Sequence, residues 1–123
     1  MKRYYKYPDT KSGGVEPITP VSPGTGANSG VEIVNNPGNS GVLSQPVNSN
    51  DPNYPVYMKM YEDFANHFQE VSEITVDGGT PYKGQILSVY GNCVIINGKN
   101  VITGQRAYYR IYYYAIFSST FYY

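Results

Sequence analysis

A break in composition near residue 53 constrains this 123-residue chain more than any other feature. Of residues 1–53, 27 are Gly, Pro, Asn or Ser, and the aliphatic side chains among them keep neither a 3.6 nor a 2 period. Such a segment cannot bury enough apolar surface to offset its ordering entropy. Residues 1–53 are therefore expected to form a disordered arm, with local polyproline II structure around Pro8, Pro17, Pro20 and Pro23. The alternative kept open within it is Val31 to Val34, pairing as a short strand with another surface.

Residues 54–123 hold 12 of the 15 Tyr and all four Phe. Tyr57, Tyr61, Phe64, Phe68 and Val71 recur at the spacing of one helical stripe, with Asn53 placed to cap it and Pro55 tolerated in the first turn. The pattern stops at Ser72, and strand signals follow: Glu73–Asp77, closed by Gly78-Gly79, then Tyr82–Tyr90, Cys93–Ile96, Ala107–Tyr114 and Phe117–Tyr123. Gly84 marks a bend inside its strand, and Asn97-Gly98 reads as a turn. One helix and five short, bent strands in residues 54–123 predict a mainly β fold, a small SH3-like barrel with the helix over one opening.

The remaining composition narrows the function. Net charge is zero, and residues 54–123 carry five basic and five acidic side chains, a count that supplies no basic groove for nucleic acid. One Cys and one His leave neither a disulfide nor a Cys- or His-built metal cage, so no cofactor is expected. No apolar run reaches the roughly 20 residues of a membrane span, and the basic start, Met1 to Tyr7, lacks the apolar stretch of a signal peptide. The carboxylates read as solvated surface groups, His67 as a residue at the helix boundary, and Cys93, opening an apolar strand, as an inert core thiol. No nucleophile, phosphate-loop or zinc motif stands out, so no catalytic residue is expected.

The run Glu73-Ile74-Thr75-Val76-Asp77-Gly78-Gly79-Thr80-Pro81-Tyr82-Lys83-Gly84-Gln85-Ile86, followed by Tyr109-Arg110-Ile111-Tyr112-Tyr113-Tyr114-Ala115-Ile116-Phe117, resembles the Sm-like modules of Bacillus spore coat proteins, as in the repeats of outer coat protein B. The resemblance covers roughly residues 70–119. It implies a five-stranded Sm-like barrel over residues 54–123 and a non-enzymatic structural role in the spore coat. The chain would be made in the mother-cell cytoplasm and would partner other coat proteins or itself as a homo-oligomer. The alternative it implies is an Sm-like nucleic-acid-binding adaptor. Against that, the loop Val89–Cys93 lacks the Asp, and Tyr112–Ala115 the Arg-Gly, of RNA-binding Sm proteins.

The tyrosines carry the interface expectation. Alternation along two neighbouring strands makes both faces of the last hairpin aromatic, one for the core and one for a partner. Tyr108, Tyr112, Tyr114, Tyr122 and Tyr123 are the interface candidates. The resemblance also implies isopeptide cross-linking, for which Lys83, Gln85, Lys99 and Gln105 are the candidates. The edges of the last two strands are expected to pair with another copy.

Overall fold

The computed structural model describes residues 1–8 and 30–123. In chain order these give β1 (Lys2–Lys6), β2 (Val31–Val34), β3 (Gly41–Val42), α1 (Tyr54–Asn66), β4 (Val71–Val76), β5 (Pro81–Val89), β6 (Cys93–Asn100), β7 (Arg106–Tyr112), a short 3-10 turn (Tyr113–Ala115) and β8 (Ile116–Tyr122). The fold is mainly β with one helix, as expected. The main strand path runs β1-β8-β4-β5-β6-β7-β2 and is antiparallel throughout; β3 lies parallel to the end of β5. Among the described residues this path is open and takes in eight strands, not the five of a closed barrel.

The three extra strands come from residues 1–53, so the expectation of a disordered arm fails for them. Periodicity could not reveal them, because each is a short strand added to an edge that the rest of the chain has already built. β1 pairs with β8 over five residues, Tyr5 meeting the Phe121 ring edge-on at 5.9 Å. β2 realises the alternative reading of Val31 to Val34: it pairs with β7, and Val31 is fully buried in the core. Gly30 holds φ +86° against Tyr114 and Ala115, and its carbonyl accepts from the Tyr112 amide at 2.8 Å. The polyproline II expectation at Pro17, Pro20 and Pro23 lies outside the described residues.

Helix α1 starts beside Asn53, as predicted, but Asn53 makes no side-chain cap bond. The turn is held instead by Asp51, whose carboxylate accepts from the Asn53 amide and whose carbonyl accepts from the Tyr54 amide. The helix ends at Asn66, five residues before the stripe does. Gln69 takes φ 70° and reverses the chain, its amide donating to the Ile86 carbonyl, so Val71 opens β4 instead of continuing the helix. Tyr57, Met60 and Phe64 face the core, where Phe64 stacks on Tyr113 and meets Phe121 edge-on.

The Asn97-Gly98 turn is a second correction. β6 runs straight through it to Asn100, and the chain turns at Val101–Gly104. Gly98 stands opposite Gly84, and a side chain on either would sit on the neighbouring strand's backbone carbonyl. The two glycines therefore serve close approach of β5 and β6. The turn belongs to Asn100, whose Oδ1 accepts from the amides of Ile102 and Thr103 at 2.9 and 3.2 Å.

Candidate interaction surface

The inward face of the sheet packs around Ile74, Tyr82, Ile86, Ile96, Tyr109, Ile111 and Phe121, all nearly inaccessible. Buried tyrosines keep their hydroxyls satisfied at the core's rim: Tyr109 donates to the Gln105 carbonyl at 2.6 Å, and Tyr113 donates to the Tyr90 carbonyl. Tyrosine is thus core material here as well as surface.

Register fixes what the outward face shows. One transverse row reads Lys2, Tyr122, Val71, Gln85, Asn97, Tyr108 and Val34 from edge to edge. The next reads Tyr4, Thr120, Glu73, Lys83, Lys99 and Arg106. Five expected site residues, Tyr108, Tyr122, Lys83, Gln85 and Lys99, therefore lie in two adjacent rows of one surface. Lys83 Nζ sits 4.5 Å above the Tyr122 ring, and Gln85 Nε2 donates to the Gln69 carbonyl at 3.0 Å. Gln105 is exposed just before β7.

The other tyrosine candidates separate from this patch. Tyr112 is only 2% exposed, opposite Cys93 on β6, so it is not available as an interface residue. Tyr114 is half-buried and stacks on Tyr112 at 5.9 Å. Tyr123 is exposed beside His67, whose ring stacks on Phe121 at 4.3 Å and whose Nδ1 lies 3.1 Å from Glu70 Oε2. Tyr90, Asn92, Cys93, Arg110 and Tyr112 line a cavity of about 260 Å³. Its cation is already engaged, Arg110 Nη1 lying 2.7 Å from Glu32 Oε1. Burial pushes the Cys93 thiol up to about 12, against the opposing pull of Arg110, so at neutral pH it holds no thiolate.

Charge is segregated between the two sides. Lys2, Lys6, Lys83, Lys99, Arg106 and Arg110 occupy outward register positions, against Glu32 and Glu73 alone among the acids. The helix and its approach carry Asp51, Glu62, Asp63 and Glu70 with only Lys59. The zero net charge of the sequence therefore conceals a basic sheet face.

One buried polar cluster escaped sequence reasoning. Asp63, 3% exposed, accepts from the Tyr7 hydroxyl at 2.8 Å and from Lys59 Nζ at 2.7 Å. Tyr7 has one proton, which goes to Asp63, so Ser119 Oγ, 2.8 Å away, donates to the phenol oxygen. Burial raises the Tyr7 pKa well above the usual phenol range, the Ser119 bond opposing and Asp63 reinforcing the shift. The cluster ties β1, α1 and β8 together. Asp63 was expected to be solvated; no helical pattern could signal a partner 56 positions away.

Among the described residues, no three His, Cys, Asp or Glu gather as metal ligands, and no helix is long and apolar enough to cross a membrane. No protein-family model, curated protein or solved structure matches this chain.

Proposed function

We propose that the chain is a non-enzymatic structural component of the bacterial spore coat, built on an Sm/SH3-like module. The fold reading is supported by strand order: β8-β4-β5-β6-β7 are consecutive neighbours, and the 3-10 turn joins β7 to β8. That is the meander of such a barrel, with β1 and β2 added at its two ends. The functional reading rests on one observation: tyrosine, lysine and glutamine side chains suited to packing or cross-linking share a single outward face. Partners dock on that face, other coat proteins or further copies of the chain, with Tyr108 and Tyr122 as its rings. The edges of β7 and β8, which were expected to receive a second copy, are occupied by β2 and β1. Assembly therefore uses the face, or an arm strand exchanged between copies. A loop-borne nucleic-acid site of the Sm kind finds no support, because Tyr113 and Ala115 in the turn that would carry it are buried. A fluorescent fusion in a sporulating Bacillus tests the reading: signal should ring the forespore, and signal confined to the vegetative cytoplasm overturns it.

A further inference from the structure

We propose that the outward sheet face also binds flexible single-stranded nucleic acid, its phosphates along Lys83, Lys99 and Arg106 and its bases over Tyr108 and the amides of Asn97 and Gln85. The inference is independent of the coat role. Lys83 stands opposite Lys99, and Lys99 opposite Arg106, three cations in line across β5, β6 and β7. Like charges directly opposed on one sheet face are destabilising, and none of the three makes an ion pair among the described residues. Glu73, opposite Lys83, is the row's only carboxylate. An unrelieved row of this kind is complementary to an external chain of anions.

The neighbouring row decides which polyanion fits. Gln85, Asn97 and Tyr108 stand one outward position further along the same three strands, about 7 Å from the cations at the ordinary strand rise. Amide groups hydrogen-bond base edges, and a tyrosine ring stacks on any base. An acidic peptide would leave this row without complement. A lipid surface would meet amides where it offers acyl chains. Counting charges along the sequence argued against nucleic acid; alternation along β5, β6 and β7 overturns that argument by bringing the cations to one face.

Fluorescence anisotropy of a labelled, unstructured 15-nucleotide DNA with the full chain tests this. Three phosphate contacts give log K against log salt a slope of about −2. Lys99→Gln should flatten the slope by about 0.7. Tyr108→Ala should weaken binding about tenfold with the slope kept. Circular dichroism checks that both variants fold. Absence of binding at 1 mM protein (about ten times a weak non-specific Kd) in 50 mM salt overturns the proposal. So does equal binding of polyglutamate or of phosphatidylserine vesicles, or retention of wild-type slope and affinity in both variants.

Discussion

The Tyr7 hydroxyl donates to Asp63 Oδ2 at 2.8 Å, joining the strand that opens the chain to the helix at its middle. Tyr7→Phe removes that donor and leaves Ser119 without its acceptor, while Lys59 still neutralises Asp63. The expected loss is about 1–3 kcal/mol in urea unfolding. Asp63→Ala should cost more, because it leaves two donors unmatched. A Tyr7→Phe variant as stable as the parent would mean the cluster contributes no net stability.

Deleting residues 1–8 removes β1 and uncovers the backbone groups of β8 along Ser118–Tyr122. An uncovered edge is a template for another chain. The truncated protein should sediment as larger species than the full chain at equal concentration. A truncated form no larger than the full chain would show that β1 does not protect the edge.

Tyr112→Glu with Tyr114→Glu is no longer a test of an interface. Tyr112 is buried, and a carboxylate there should destabilise the fold by about 3 kcal/mol or more. Tyr108→Glu, on the outward face, should leave unfolding within about 1 kcal/mol of the parent. Equal stability losses in chemical denaturation would contradict the assigned burial.

Gly98→Ala should cost about 3 kcal/mol or more, since the added carbon meets the Lys83 carbonyl oxygen and the Gly84 backbone. Gly104→Ala meets no neighbouring atom and bears only the cost of φ +79°, about 1 kcal/mol. Thermal melts of the pair should rank in that order.

Alkaline stability has a worked sign. The Cys93 thiol rises from an ordinary value of 9.0 to about 12 on burial. Above pH 9 the unfolded chain releases this proton and the folded chain keeps it. Stability should therefore be constant below about pH 9 and fall between 9 and about 12. Tyr7 and Tyr113, also raised by burial, steepen the fall above pH 10. Cys93→Ala should shift the onset upward in pH-dependent urea unfolding. Native Cys93 should also react slowly with a disulfide reagent at pH 8 and quickly in urea.

The helix stripe Tyr57, Phe64 and the five strands from Val71 onward were legible because their apolar side chains repeat at the period of the element that buries them. Outward placement of Tyr108, Tyr122, Lys83, Gln85 and Lys99 follows from the same alternation. Burial of Tyr112 did not, since it depends on packing at the end of the sheet where Cys93 and Arg110 meet it.

The sequence by itself determined a mainly β fold, the start of its helix, the strands after it and the residue types that could act at its surface. Those features are local, written in periods of 3.6 and 2 within a few consecutive residues. Tertiary structure decided that Lys2–Lys6 and Val31–Val34 close the two ends of the sheet, that Asp63 is buried on Tyr7, and that Gly98 packs on Gly84 instead of turning the chain. It also decided that a chain of zero net charge turns a basic face outward. Each of these is a pairing between distant positions. A short strand or a single carboxylate carries no periodic signal of the edge or hydroxyl that will receive it, because that partner exists only once the rest of the chain has folded.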